Sequence, residues 1–421
     1  MTKYILPFFA LLFAACTGTT PTPCPTCPVC PPIDTTVVVT PPLDTSGFLL
    51  GVNTNHWQDK AQQIRFNGVR LYLPVGWAWT EKGFYGQPLK QAQKQFLGID
   101  DYLAYMKAHG VDVLLTLHQS PDYLNGFTQG INTNDHPPVR PGADLNDPKS
   151  YAEIAGAYKA FAIRYGSKVW PKGSYKTDPA LPRWNGDERQ VEKSGLGFVK
   201  TIEVGNELAR WWNPVQALTA EQYAAMLMTC YDSIRLADPK MGVVMGGTTN
   251  FELPYLKAMH AWFTAHGRPF LSQAINVHHY QSIGNLPGVH PPTWPINGGV
   301  NWSEDKDFVT ASQVVSWAKT IGLPVWVSEY GFDTQPGSQM YPYALNGKAS
   351  EQVQADWLVS TTLEYKRLGV KRCYIFTLAD EPNPNAGTFT SSGLLKGEST
   401  GYAEKVGMGV IARLCEDFSK K

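Results

Sequence analysis

The sequence predicts an α/β protein: a single (β/α)8 TIM barrel preceded by a lipoprotein signal and a disordered stalk rich in Pro, Thr and Cys. Two observations carry the barrel. First, one module recurs along the chain, an amphipathic helix followed by a Gly and a short β-branched run, as in "IRFNGVRLYL", "MKAHGVDVLLTLH", "AKTIGLPVWVSEY" and "YKRLGVKRCYIFTL". The runs lack polar alternation, so they read as parallel strands buried on both faces. Gly68, Gly110, Gly322 and Gly369 stand where a helix C-terminus calls for a left-handed residue. Second, eight such units can be counted, the number that closes a barrel.

The chain divides in order. Residues 1–15 read as an export signal: Lys3, then an apolar stretch from Tyr4 to Phe13 that is too short to span a bilayer, then Ala14-Ala15-Cys16. "FAAC" resembles a bacterial lipobox with Phe13 where Leu is usual, which points to lipidation of Cys16; ordinary cleavage to a soluble product is the alternative. Residues 16–46 are too rich in Pro and Thr to pack a core and read as an extended tether. Cys24, Cys27 and Cys30 recur every third residue, which aligns them on one side of a polyproline helix. With no fourth ligand nearby, disulfides between molecules suit them better than zinc.

Residues 47–421 form the expected catalytic domain. Its strands are Leu49 to Asn53, Val69 to Leu73, Val111 to Leu117, Val199 to Val204, Gly242 to Met245, Ala274 to Val277, Pro324 to Ser328 and Cys373 to Thr377. Helices fall near 58–66, 96–109, 150–165, 219–236, 252–266, 308–321, 349–367 and 403–416, and Thr219 with Gln222 looks like a capping box. Long irregular stretches after strands three, six and eight belong to the C-terminal rim, where loops build a cleft. Cys230, Cys373 and Cys415 lie in apolar surroundings and read as buried small hydrophobes.

Composition narrows the partners. With 36 basic against 36 acidic residues, no net field favours nucleic acid or an anionic membrane surface. The membrane is reached through the N-terminal lipid alone, and a monomer is expected. The 13 Trp and 20 Tyr supply flat faces of the kind a neutral sugar ring packs on.

Polar residues gather where strands end: Arg70, His118, Asn206 with Glu207, His278 with Tyr280, and Glu329. Residues from five strands at one end of one barrel describe a cleft rather than core satisfaction. Two carboxylates there are the minimal equipment for cleaving a glycosidic bond. Period-two geometry puts His278 and Tyr280 together and turns His279 away. The same alternation places Glu203 inward beneath Glu207, where a buried carboxylate needs a partner, and Arg70 is the candidate. The histidines stand at isolated strand ends, so neither a metal nor a cofactor is expected.

Here the chain resembles clan A, the large retaining clan of (β/α)8 glycoside hydrolases. "EVGNE" at strand four and "WVSEYG" at strand seven match the clan's motifs, and "GVRL", "LLTLH" and "NVHHYQ" look like companion residues of family 5; "EQYAAMLMTCYDSIRLADPKMGVVMGG" is similar to sequences of family 39. The resemblance implies Glu207 as acid/base, Glu329 as nucleophile and Asn206 on the sugar 2-hydroxyl. Arg70, His118, His278 and Tyr280 would bind sugar or orient the carboxylates, and Trp211 and Trp212 follow the acid/base loop. One departure stands out: family 5 members place a Trp at the end of strand eight, where this chain reads "CYIFTLADEP" and offers Phe376 or Tyr374.

The function expected is a retaining endo-β-glycanase acting on a glucan or mannan, lipid-anchored at the bacterial cell envelope, on the outer membrane facing either the periplasm or the surface. An exo-acting β-glycosidase on oligosaccharides is one alternative. A non-catalytic carbohydrate-binding surface lipoprotein is another.

Overall fold

The computed structural model describes residues 47–84, 98–125, 136–178, 191–210, 216–249, 251–280, 311–336, 338, 348–385 and 387–419. The expected signal (1–15), the expected lipidation site Cys16 and the expected stalk (16–46) lie outside the described residues.

Eight parallel strands form one sheet: β1 (Leu49–Thr54), β2 (Gly68–Pro74), β3 (Asp112–His118), β4 (Thr201–Val204), β5 (Gly242–Met245), β6 (Ile275–His278), β7 (Val325–Tyr330) and β8 (Arg372–Ile375). Their spatial order is β5-β4-β3-β2-β1-β8-β7-β6. Thr248 joins the two edges: its N–H donates to Asn276 O at 3.2 Å, and its carbonyl accepts from His278 N at 2.7 Å. This isolated bridge brings the two ends of the sheet together, so that the eight strands form a nearly closed barrel.

The helices between them are α1 (Lys60–Gln63), α2 (Ile99–Ala108), α3 (Ala152–Tyr165), α4 (Ala220–Ala237), α5 (Leu253–Ala265), α6 (Ala311–Thr320), α7 (Ser350–Leu368) and α8 (Val406–Ser419). Thr219 and Gln222 make both bonds of the capping box at the start of α4. Among the described residues no helix is long and apolar enough to cross a membrane.

The buried residues fall into two groups. Outward-pointing strand residues such as Val69, Leu71, Val113, Leu115, Ile202, Val243, Val327 and Cys373 pack under the helices as the main core. A small separate cluster of Leu114, Val244, Ala274, Trp326 and Tyr374 fills the barrel interior. Two residues further along their strands, Leu114 gives way to Thr116, Ala274 to Asn276 and Trp326 to Ser328, all buried. Period two therefore stacks a polar layer on an apolar one, and the polar layer lies toward the C-terminal end.

Two corrections to the sequence reading follow. Gly110, Gly322 and Gly369 are left-handed (φ 72°, 73° and 95°), but Gly68 is not; it is the first residue of β2. A Cβ there would lie 3.0 Å from Leu49 Cδ2 and 3.1 Å from Asp112 O, so Gly68 serves the close approach of neighbouring strands. The stretch after β2 also carries structure that the periodicity did not suggest: a helical turn, Val75–Ala78, then a hairpin pairing Trp79–Thr80 with Gly83–Phe84.

Candidate active site

The site is built on Arg70, which points inward from β2 and is fully buried. Its Nε and Nη2 grip Glu203 at 2.6 and 2.9 Å. Nη2 also donates to Asn206 Oδ1 at 2.7 Å, and Nη1 to Asn53 Oδ1 at 3.0 Å and Glu329 Oε1 at 2.6 Å. Glu203 accepts further bonds from Thr116 Oγ1 (2.6 Å), Asn276 Nδ2 (2.9 Å) and the Gly247 N–H (3.0 Å). A buried ion pair survives only when its remaining lone pairs and protons are satisfied in this way. The pairing of Glu203 with Arg70 is as the strand alternation implied.

Above this layer sits Glu329, near the end of β7 and buried. Tyr280 donates to its Oε2 at 2.6 Å, and Tyr72 donates to Oε1, which also takes the Arg70 bond. Burial alone would raise this carboxyl, but His278, Arg70 and the two tyrosine hydroxyls outweigh it and hold the group below its ordinary value. Burial pushes both phenols well above their usual range, reinforced by the Glu329 charge, so they act as donors.

Glu207 follows β4 with φ 48°, a left-handed conformation that only a constrained backbone keeps. Its N–H donates to Gly247 O at 3.0 Å. Its carboxyl is a fifth exposed, and Oε1 lies 2.6 Å from His278 Nδ1. His278 is fully buried, and its Nε2 lies 3.3 Å from Glu329 Oε1. One imidazole thus spans both carboxylates. Gly247 makes room for it, because a Cβ at that position would meet His278 Nε2 at 2.2 Å.

The remaining expected residues distribute as follows. Asn206 uses its amide oxygen on Arg70, which leaves the amide NH2 as the group to offer a ligand. His118 ends β3 with its ring edge-on to Tyr72 at 5.2 Å. His279 turns away from the cleft, meets Tyr365 Oη at 2.7 Å, and is pulled by burial down to about 3, hence neutral. Trp211 and Trp212 lie outside the described residues. Of the two aromatics at the end of β8, Tyr374 is in the interior cluster and Phe376 reaches the cleft, its ring 6.1 Å from that of Tyr280. Sequence reasoning missed Tyr72, although it stands two residues beyond Arg70 and so shares its face.

An oxygen of Glu207, an oxygen of Glu329 and a ring nitrogen of His278 lie within 4.8 Å of one another. Such a trio has the spacing of a cation site, yet the Arg70 guanidinium already places a positive charge 2.6 Å from Glu329. The arrangement sets one carboxylate, buried and held ionised, opposite a second that is a fifth exposed.

Fold and cleft together define a (β/α)8 barrel that gathers paired carboxylates at the C-terminal ends of its strands. No protein-family model matches the sequence, and no curated protein matches it. Solved structures do share the fold. A family 39 glycoside hydrolase from Bacteroides cellulosilyticus WH2 superposes with a TM-score of 0.54 and 14% identity, over 87% of this chain and 63% of that one. This chain therefore spans less than two thirds of that relative. A glucosidase from Croceicoccus marinus gives 0.53 and 11% identity, over 88% and 68%. The endo-β-1,4-mannanase from Thermotoga petrophila gives 0.50 and 15% identity, over 89% and 78%.

Proposed function

We propose that the protein is a retaining glycoside hydrolase that cleaves β-glycosidic bonds by double displacement. The observation that carries this reading is the approach of Glu207 and Glu329 oxygens to within 4.8 Å of each other. Retaining enzymes set their carboxyl groups about 5–5.5 Å apart, whereas inverting ones leave about 6.5–9.5 Å for a water.

The supports of the two carboxylates divide the roles. Glu329, held ionised by Arg70 and two hydroxyls, attacks the anomeric carbon and forms the glycosyl-enzyme. Glu207, more open to solvent, protonates the departing oxygen and then takes a proton from the incoming water. Asn206 donates its amide to the sugar 2-hydroxyl, a contact that strengthens as the oxocarbenium character grows. Glu207→Gln and Glu329→Gln should each cost orders of magnitude in turnover on a responsive glycan; full activity in either variant sinks the assignment.

Within this reading an endo-acting enzyme on a glucan or mannan is favoured by an aromatic pair on the rim. Trp57 follows β1 and Trp77 follows β2; their rings lie 6.1 Å apart and Trp77 is 38% exposed. A further sugar of a bound chain can pack there, beyond the reacting one. Product sizes from a defined hexasaccharide separate this from trimming of single sugars. Glycan binding without hydrolysis across β-glucans, mannans, xylans and galactans would favour the non-catalytic reading. The envelope location is part of the proposal and rests on the "FAAC" sequence; mass spectrometry of the mature N-terminus for acyl chains on Cys16 tests it.

A further inference from the structure

The wall beside Glu329 is unusual in its origin. Phe389, in the loop between β8 and α8, has φ 74°, a backbone conformation that bulky residues rarely hold. Its N–H donates to Asp333 Oδ2 at 2.8 Å, and Asp333 also takes the hydroxyls of Ser338 and Ser392. Asp333 is fully buried and lies four residues beyond Glu329 on the same strand extension. Behind the loop, buried Lys405 donates to Asp380 Oδ1 (2.7 Å), Ser391 O (2.9 Å) and Thr334 Oγ1 (2.9 Å). The segment that carries the nucleophile candidate thus also anchors the loop that carries Phe389.

Its ring, held this way, lies 4.6 Å from that of Tyr280 and 5.6 Å from that of Phe376. Tyr280 is the donor to Glu329 Oε2. Both phenylalanines remain partly exposed. A strained backbone fixed by a buried carboxylate, presenting an apolar ring next to the tyrosine that holds Glu329, goes beyond what core packing requires.

We propose that Phe389, with Phe376, forms the apolar wall on which the C–H face of the reacting pyranose ring packs, and that Phe389 is a specificity-determining residue for that sugar. The side is fixed by Tyr280: the wall flanks the partner of the attacking carboxylate, so it meets the glycone rather than the leaving group. This inference rests on the hydrolase reading.

The test compares wild type with Phe389→Ala, Phe389→Leu and Phe389→Tyr on 4-nitrophenyl β-glycosides of glucose, mannose, galactose and xylose. Phe389→Leu keeps apolar volume and guards against a folding defect in Phe389→Ala, and circular dichroism checks both. On the best of these glycosides, loss of the ring should raise KM by ~3- to 10-fold with a smaller change in kcat, while Phe389→Tyr stays within ~2-fold. An unchanged KM in Phe389→Leu, or a loss confined to kcat, overturns the proposal and leaves Phe389 as packing for Tyr280. If wild type turns over only cellohexaose, mannohexaose or xylohexaose, the same KM comparison is made on that substrate; if it turns over neither these nor the glycosides, the hydrolase reading fails by itself. Calorimetric titration of wild type and Phe389→Leu with cellohexaose, mannohexaose and xylohexaose then decides the wall: weaker binding in the variant upholds it, and equal or absent binding overturns it.

Discussion

Glu203 and Glu329 share one guanidinium: Arg70 Nε lies 2.6 Å from the first and Nη1 2.6 Å from the second. Both carboxylates and the guanidinium are buried, so none can turn to water when a partner is lost. Arg70→Met should therefore destabilise the barrel by about 3–5 kcal/mol, the usual cost of stranding a buried charge. Arg70→Lys should recover little, because a single ammonium cannot fork between two carboxylates. Urea unfolding monitored by tryptophan fluorescence measures this, and a loss under about 1 kcal/mol in Arg70→Met would show that the network tolerates the missing charge.

The same network sets the response to acid. Glu329 has a folded pKa below its ordinary value, so its ionised form persists as pH falls through the usual carboxylate range. Its contribution to stability is present above the unfolded pKa and is lost as pH falls through the lowered folded one. The acid limb of kcat/KM should lie correspondingly low. Tyr280→Phe and Tyr72→Phe each remove a hydrogen bond that favours the charged form, so each should move the limb to higher pH. An acid limb unmoved in both variants would show that another group governs it.

Much of this was legible from residue order. All eight strands, the inward pair Arg70 and Glu203, and the opposed directions of His278 and His279 follow from period-two alternation and the helix–Gly–strand module. Tyr72 escaped notice because an aromatic inside an apolar run reads as core. Asn53 and Asn276 escaped because their meaning depends on contacts across the barrel, with Arg70 and with Glu203. Phe389 lies in a loop, where no periodicity reports direction. Gly68 misled because the same local pattern can serve a helix end or a tight strand contact, and only the neighbours Leu49 and Asp112 distinguish them.

Lys405 and Asp380 give a prediction away from the chemistry. Burial raises the Asp380 carboxyl and lowers the Lys405 ammonium, and in both cases it outweighs the attraction between them at 2.7 Å. Desolvation on that scale makes removal of one partner worse than removal of both. Lys405→Met should cost about 3–5 kcal/mol, and adding Asp380→Leu should return a large part of it. If the double variant is no more stable than the single, the two residues do not act as a pair.

His278 offers the sharpest test of role. Its Nδ1 lies 2.6 Å from Glu207 Oε1, while its buried Nε2 makes no hydrogen bond among the described residues and lies 3.3 Å from Glu329 Oε1. The ring's hydrogen bond to Glu207 therefore fixes where that carboxyl points. Under the proposed mechanism, the imidazole aims the Glu207 carboxyl at the departing oxygen. His278→Ala should then lower kcat/KM roughly a hundredfold on alkyl β-glycosides, whose leaving groups need a proton, within the range acid catalysis supplies. On 2,4-dinitrophenyl glycosides, which depart without one, the loss should shrink to a few-fold. Equal losses on both substrate classes would mean that His278 holds the sugar or the loop, and does not position Glu207 for proton transfer.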